Sequence, residues 1–488
     1  MARTTGSDEL YRLVHSLTTE EKGYFKKFAK RHTDKSNAYI RLFDTLNKME
    51  KYDEPLLKKK FKSLPDLKHY LFEMLLQSMV TSGSGALPVD EAMKGLLQIN
   101  VLVRKGLTAR ALKQVKHLKE FSQEQGMHIW AGIFTRSQDY LVIASATPQQ
   151  SITLANNLYE EIKTATINQQ QCDALIHYQR VLYGFLKMKE FSGVAVDIDK
   201  EIDIAPLLGI QPVNSVHRAI QLSALKAYYS IKEETEKAYE CCEEAYAIQR
   251  KRWQQLQSSK ESINYYVAIE MLLHACINTG RIARAEKVLH ELMKLDLSDT
   301  HLKDSLPIKI NYFQLLFYWL KGEHDKGLKQ WGKLNHVESI KLKDAFYPTM
   351  HYETYFFKAM FEFSTGKFTE ASQSLNYFNQ PGLSPNAATQ IVAAEMLRLL
   401  IQFEIENYYL LPSAARSIKN RFKNLGEADY AFLKLVAKYG NNPPVFFSEC
   451  AKARLEVSIH PMSISDWIES KLSKKPLSEI VGKNHSAN

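Results

Sequence analysis

Two glycines, Gly322 and Gly327, have the spacing of a phosphate-binding loop within this 488-residue chain. Such a loop places a lysine directly after its second glycine, to contact phosphates, and then a serine or threonine that binds magnesium. Here Leu328 follows Gly327, and the sequence indicates no strand before Gly322. We therefore interpret the segment as a turn between two helices.

The histidines and cysteines give no stronger indication of a catalytic or metal-binding site. The chain has 15 histidines and 5 cysteines, but it contains no H-E-x-x-H, G-x-S-x-G or C-x-x-C motif. Cys241 and Cys242 are adjacent in a predicted helix, where neighbouring side chains point about 100° apart, which disfavours a disulfide or a shared metal. His274 lies beside an apolar stripe and is interpreted as a packing residue. We predict no catalytic, metal-binding or cofactor-binding residues and therefore no enzyme, although a triad assembled in space would leave no such motif.

A repeat organises the rest of the chain. Its pattern is a turn-forming residue followed five positions later by a small residue. Clear copies are Gly106/Ala111, Gly280/Ala285, Gly322/Gly327 and Gly366/Ala371, and weaker copies are Glu233/Ala238 and the neighbourhoods of Lys189 and Asn407. The copies from Lys189 onwards recur about every 43 residues, and the gap from Gly106 to Lys189 is two such steps. A unit of this size cannot bury its own apolar face, so it is expected to stack on its neighbours.

The segment 266–296 shows how one unit is built. Its first apolar stripe ends at Thr279-Gly280, where glycine tolerates the left-handed conformation that ends a helix. The stripe of the partner helix begins at Ala285, which is small because the two helix axes approach closely there. The pattern predicts an all-α fold, with an α-solenoid of about eight antiparallel helical hairpins.

These residues resemble the tetratricopeptide repeat. The resemblance rests on the segments Ala275–Ala285 and Thr365–Ala371, in which a glycine at the inter-helix turn precedes an alanine by five residues. That family has a period of about 34 residues, shorter than the period here. The resemblance implies a tetratricopeptide-like binding scaffold. The segments Ser16–Phe28 and Trp467–Leu472 also resemble a bacterial family of helical-repeat proteins, which implies no particular activity.

Four regions are predicted along the chain. Residues 1–82 form a basic N-terminal helical module, in which Leu17-Thr18-Thr19-Glu20-Glu21 begins a helix with a threonine cap and acidic residues in its first turn. Residues 83–89 form a linker, and residues 90–440 form the solenoid. Residues 441–488 form capping helices and a tail that is disordered from Gly482 onwards.

Composition indicates a soluble cytoplasmic protein. The N-terminus has no apolar signal segment, and no apolar run approaches the roughly 20 residues of a membrane span. An odd number of cysteines in a long helical chain favours reduced thiols. The net charge of +10 is moderate for a dedicated nucleic-acid binder.

Two residue sets are candidates for binding a partner. The aromatic residues Tyr312 and Phe356, like Trp319 and Phe363, occupy equivalent positions in adjacent repeats. They would either line a groove for an apolar peptide or pack between the helices of each repeat. The second set is a basic surface on the N-terminal module. It consists of Lys26, Lys27, Lys30, Lys58, Lys59 and Lys60.

Lys58-Lys59-Lys60 and two further basic clusters are each interpreted either as phosphate contacts or as solvated helix faces. One of them is Arg250-Lys251-Arg252-Trp253. We expect a non-enzymatic scaffold or adaptor that binds a protein or peptide. The alternative is a regulator that binds nucleic acid through the N-terminal module. The oligomeric state cannot be inferred.

Overall fold

Helices form almost all of the secondary structure, which confirms the all-α prediction. The computed structural model describes residues 8–32, 38–82, 87–143, 147–192, 197–256, 259–297, 302, 305–333, 348–379, 388–422, 425–453, 457–459 and 461–486. The strands in this part of the chain are Ser458–Ile459 and Met462–Ser463, which pair as a short antiparallel hairpin. The backbone falls into two compact units, residues 1–101 and 102–488.

Unit 1 is a set of short helices around its own core. Thr18 and Glu21 form a reciprocal cap: the Glu21 amide donates to Thr18 Oγ1 (3.2 Å) and the Thr18 amide donates to the Glu21 carboxylate (2.8 Å). Phe25, Phe43 and Leu75 are fully buried in the core. The helices are α1 (Glu9–Ser16), α2 (Thr19–His32), α3 (Ala38–Lys48), α4 (Glu54–Lys60), α5 (Leu64–Ser82) and α6 (Pro88–Arg104), and the unit boundary falls within α6.

Unit 2 continues with helices that pack mainly on their neighbours in the chain. Its first part contains α7 (Thr108–Glu124), α8 (His128–Ile143), α9 (Pro148–Ser192), α10 (Ile198–Glu201), α11 (Ala205–Gly209), α12 (Ser215–Ile231), α13 (Thr235–Leu256), α14 (Ser259–Asn278) and α15 (Ile282–Leu292). Its second part contains α16 (Leu306–Leu320), α17 (His324–Lys333), α18 (Pro348–Ser364), α19 (Phe368–Leu375), α20 (Ala388–Glu404), α21 (Leu411–Arg421), α22 (Glu427–Tyr439), α23 (Pro443–Ala453), α24 (Ile464–Ser473) and α25 (Leu477–Ser486). Short 3-10 turns lie at Asn376–Asn379 and Tyr408–Leu410.

The turns that join the helix pairs share one backbone geometry. Seven turn residues have positive φ values and are each followed by an amide that donates to the carbonyl oxygen five residues earlier, at 2.8 to 3.0 Å. This pattern satisfies the last carbonyls of a helix and reverses the chain within a few residues. The seven residues are Gly106, Gly126, Glu233, Gly280, Gly322, Gly366 and Glu406. Glu233 adopts this conformation without being glycine, as does Glu406, which precedes the predicted copy at Asn407.

The small residues of the repeat lie where helices meet closely. Ala111, Ala285 and Ala371 are fully buried. A side chain at Gly327 would overlap the ring of Phe361, so glycine is required there. Gly322 and Gly327 therefore serve a turn and a helix contact, as the sequence indicates.

The predicted copy of the repeat near Lys189 lies at the end of a helix. Lys189 is in the last turn of α9, which ends at Ser192. Its ammonium group donates to the Ile231 carbonyl and to Glu233, each at 2.7 Å, and so contacts the turn of the following pair. The residues just after the helix, 193–196, lie outside the described part of the chain.

The prediction of a disordered tail is wrong, since α25 extends to Ser486. Ile480 and Val481 are buried, and the helix packs on α16. Gly482 lies beside the Lys321 carbonyl, where its missing side chain permits the approach. Of the predicted linker 83–89, residues 83–86 are outside the described ranges, and Pro88 and Val89 belong to α6.

Two observations bear on the predicted environment. In the portions of the chain that the structure describes, every helix is too short or too polar to cross a membrane. All five cysteines are free and buried. Burial raises the pKa of Cys242 to about 12, so this thiol is unreactive at neutral pH.

Candidate functional site

An open groove lies between α13 and α15 in unit 2. The turn at Gly280 fixes α15 against α14 through the bond from the Arg281 amide to the Cys276 carbonyl (2.8 Å). The apolar face of α15, which includes Ala285 and Val288, is buried, so its opposite face is left to line the groove. The cavity has a volume of about 770 Å³. Its lining is Arg250, Trp253, Gln254, Tyr265, Ala283, Glu286, Lys287, His290, Glu291, Lys294 and Leu295.

A carboxylate held by three helices forms part of the groove wall. Glu291 of α15 accepts hydrogen bonds from the hydroxyls of Tyr246 on α13 (2.8 Å) and Tyr265 on α14. The Arg250 guanidinium lies 3.4 Å from the same carboxylate. Burial and the bond to Glu291 raise the pKa of Tyr265, so the hydroxyl stays protonated and keeps donating.

An aromatic pair extends from this carboxylate along the groove. Trp253 stacks on Tyr265 with ring centroids 5.0 Å apart and planes inclined by 22°. Tyr265 is buried, whereas Trp253 is only half-buried and lines the cavity. Because Tyr265 is fixed by Glu291, the indole has a rigid support, and such a platform suits contact with a flat or apolar group.

The charged groups of the groove divide into paired and unpaired sets. Glu291 is paired with Arg250, and Glu286 forms an ion pair with Lys321 of the next turn. Lys287, His290 and Lys294 are exposed, and within the described ranges no ion pair involves them. The available charge in the groove is therefore positive.

The side chains of the groove are arranged for binding a ligand rather than for acid–base or nucleophilic catalysis. The tyrosine hydroxyl is held protonated, and the groove's carboxylates are engaged by arginine, lysine and tyrosine side chains. Among the residues that the structure describes, no group of three or more histidine, cysteine, aspartate or glutamate side chains could hold a metal ion. The groove offers a ligand an aromatic stacking surface at Trp253 and two unpaired lysines, Lys287 and Lys294.

A second polar assembly is enclosed in unit 2, and we call it the buried junction. Arg252 of α13 makes a bidentate pair with Glu261 of α14 (2.9 and 3.2 Å) and also donates to Ser215 Oγ (3.2 Å). Arg252 also reaches Gln125, which lies in the turn between α7 and α8, at 3.5 Å. His128 follows this turn and His217 follows Ser215, and the Nε2 atoms of the two histidines are 2.9 Å apart.

The histidines of the buried junction are held neutral. His217 is fully buried, and its Nδ1 has no hydrogen-bond partner in the described structure. Burial, with a smaller contribution from His128, lowers the pKa of His217 to about 4, and burial also lowers the pKa of His128. Two neutral imidazoles can share one hydrogen bond, with one ring donating and the other accepting.

The predicted aromatic set lies in the core. Tyr312, Trp319, Phe356 and Phe363 are all at most 5% exposed and belong to the main hydrophobic cluster of unit 2. Trp319 stacks on His324 with centroids 4.2 Å apart. These positions match the packing interpretation, and the four side chains offer no exposed groove.

The predicted basic surface of unit 1 is partly neutralised. Lys26 pairs with Asp44 (2.7 Å), and Lys58 pairs with Glu54 (3.5 Å). The remaining members are exposed; they are Lys27, Lys30, Lys59 and Lys60.

In the sequence, Arg250, Arg252 and Trp253 form one basic cluster. Nothing there indicates that Arg252 is buried while Arg250 and Trp253 line a groove. Tyr265 and Glu291, which reach the groove from other helices, were not predicted. The only signal was the repeat itself, because Tyr246 and Glu291 are 45 residues apart, about one period. A scan against protein-family models finds no match for the chain, and a search of curated proteins finds no significant similarity.

Proposed function

We propose that this protein is a non-enzymatic scaffold of the cytoplasm whose α13–α15 groove binds a partner protein. Unit 2 would be a tetratricopeptide-like α-solenoid, built from helical hairpins that recur about every 43 residues. The observation that carries the proposal is the groove itself, because it combines a rigid aromatic platform with unpaired charge at an accessible surface. Aromatic anchors of this kind dominate protein–protein binding energies.

The spacing of polar contacts supports the solenoid. In a stacked repeat, each unit contacts its neighbours, so equivalent positions meet at a separation of one period. Several side-chain pairs have this separation, between 41 and 45 residues. They are Gln179–Ser223, Lys189–Glu233, Glu236–Arg281, Glu243–Arg284 and Tyr246–Glu291.

The test is purification of the tagged protein from its native cell, after nuclease treatment and at moderate salt. The wild type and a Trp253→Ala variant are compared with Tyr409→Ala, which removes an exposed ring (75% exposed) outside the groove. We expect a stoichiometric protein partner with the wild type and with Tyr409→Ala, and its loss with Trp253→Ala. Circular dichroism checks that all three proteins are folded.

Two results would contradict this proposal. One is a partner retained equally by Trp253→Ala, which would place the binding surface elsewhere. The other is recovery of nucleic acid alone, lost as salt rises, which would favour the basic N-terminal module instead.

A further inference from the structure

We propose that the α13–α15 groove recognises an extended acidic peptide segment that carries a flat aromatic side chain. This inference rests on the scaffold function proposed above and specifies the chemistry of its partner. It follows from three features of the groove: which charges are already paired, how the unpaired ones are spaced, and where the aromatic platform lies.

The first feature is the state of the groove's carboxylates. Glu291 accepts two tyrosine hydroxyls and faces Arg250, and Glu286 is paired with Lys321. Both carboxylates are therefore compensated before any ligand arrives. The lysines Lys287 and Lys294 are exposed and have no ion pair in the described structure, so a ligand that brings carboxylates would complement the groove.

The second feature is the spacing of the unpaired basic side chains. Lys287, His290 and Lys294 recur at intervals of three and four residues and therefore follow one side of α15 and the turn after it. At about 1.5 Å per helical residue, Lys287 and Lys294 are roughly 10 Å apart along the axis. A peptide in the extended polyproline II conformation advances about 3.1 Å per residue and has three residues per turn, so acidic side chains three residues apart point to the same side and match this distance.

The third feature is the platform beside these basic side chains. Trp253 is half-buried, stacked on Tyr265, and lines the same cavity as Lys287 and Lys294. A planar side chain of the ligand, lying between its two acidic residues, would find an aromatic partner there. The platform is already rigid before a ligand binds, because Glu291 fixes the ring of Tyr265 on which Trp253 stacks.

The groove fits a peptide better than a nucleic acid. A nucleic acid presents a phosphate at every nucleotide and needs a continuous track of cations. In this groove the unpaired lysines Lys287 and Lys294 are two helical turns apart and form no such track. Two carboxylates separated by neutral residues match this wider spacing.

The experiment is fluorescence anisotropy with the full chain and a labelled synthetic peptide. The peptide has two glutamates three residues apart, one tryptophan between them, and otherwise glycine and serine. Matched peptides replace both glutamates with glutamine, or the tryptophan with alanine. The proteins are the wild type, the double variant Lys287→Glu/Lys294→Glu, Trp253→Ala, and the control Lys434→Glu, which reverses an exposed lysine on α22.

We expect the wild type and Lys434→Glu to bind the glutamate peptide about tenfold more tightly than the glutamine peptide at low salt. The lysine double variant should lose this preference, and Trp253→Ala should lose the preference for the tryptophan. The inference is overturned if the wild type does not bind the glutamate peptide, or if it binds both peptides equally. It is also overturned if a labelled single-stranded oligonucleotide binds more tightly and the lysine double variant abolishes that binding.

Co-purification separates this inference from the scaffold function. If the native partner is lost with Trp253→Ala but kept by Lys287→Glu/Lys294→Glu, the groove is a binding site and its preference for acidic segments is refuted. If the partner is kept by both variants, the groove is not the binding site and both proposals fail. Loss with both variants supports both.

Discussion

Arg250 and Arg252 are separated by one residue on α13, yet they belong to regions with opposite surroundings. Arg252 lies in the buried junction, 8% exposed, with Glu261, Ser215 and Gln125 as partners. The Arg250 side chain is 48% exposed and faces the groove. One basic cluster in the sequence thus holds helices together on one side and supports the wall of an open groove on the other.

This difference shows that residue type alone does not decide the role of a charged cluster. A buried charge is stabilised only where hydrogen-bonding or charged partners are fixed around it. In the buried junction these partners come from four helices, and their polar contacts hold the helices together. A charge at the surface is screened and contributes little to stability, but it stays available for recognition. The two regions should therefore respond differently to the same substitutions.

The largest effect is expected for Arg252→Met. It leaves the carboxylate of Glu261, which is 1% exposed, without its bidentate partner. Removing one member of a buried pair costs about 3–5 kcal/mol. The matched change Arg250→Met should cost less than about 1 kcal/mol. Chemical denaturation measures both, and equal losses would erase the distinction between the two regions.

Two glycine turns, one packed against another helix and one exposed, allow a second comparison of buried and open surroundings. Gly322 and Gly366 have φ values of 69° and 77°, so alanine at either position costs about 1–2 kcal/mol of backbone strain. At Gly322 an added methyl would also overlap the Ser478 carbonyl of α25, whereas nothing lies within 4 Å at Gly366. We expect Gly322→Ala to be less stable than Gly366→Ala by about 2 kcal/mol.

Thermal unfolding of both glycine variants measures this difference, and proteolysis near the C-terminus reports whether α25 is released. A Gly322→Ala protein as stable as Gly366→Ala, with α25 still protected, would refute the packing of α25 on this turn.

The histidines provide a pH-dependent comparison. The pKa of His217 is lowered to about 4, below its ordinary value near 6.5, so the unfolded chain takes up a proton first as pH falls. His217 therefore lowers the free energy of unfolding progressively as pH decreases from about 6.5 to about 4. The loss should be about 2 kcal/mol at pH 5.

Denaturation of His217→Gln between pH 7.5 and 5 should show a smaller pH dependence than the wild type. His128 and His324 also have lowered pKa values, so part of the slope remains in this variant. An unaltered slope in His217→Gln would show that this histidine is not held neutral in the folded protein.

A smaller effect is expected for Tyr265→Phe, which removes one hydrogen bond to Glu291 without changing the shape of the groove. The loss of stability should be about 1 kcal/mol, because Tyr246 and Arg250 still satisfy the carboxylate. Urea denaturation measures it. A loss as large as that of Arg252→Met would mean that the groove wall is a structural network as well.

The sequence predicted the elements whose causes are local. The helix start at Thr18 depends on residues within one helical turn of each other. The left-handed turns at Gly280 and Gly366 follow from the conformational freedom of glycine. The weaker copy at Glu233 was also found, because the repeat spacing indicated a turn there. These features need no knowledge of distant contacts.

The remaining features depend on contacts between distant residues. The order of α25 depends on the surface of α16. The buried junction joins His128 to His217 across 89 residues, and the groove assembles Arg250, Tyr265 and Glu291 from three helices. The period of the repeat brings such residues together, but it does not say which of them stay exposed.

The most direct test of the groove as a binding surface is photo-crosslinking in the native cell. A benzophenone amino acid replaces Lys294 in the groove or, as the control, Lys434 on α22. The account predicts a covalent adduct from position 294 to an acidic segment of one partner protein, with no adduct of that partner from position 434. An adduct of the same partner from position 434, with none from position 294, would contradict it.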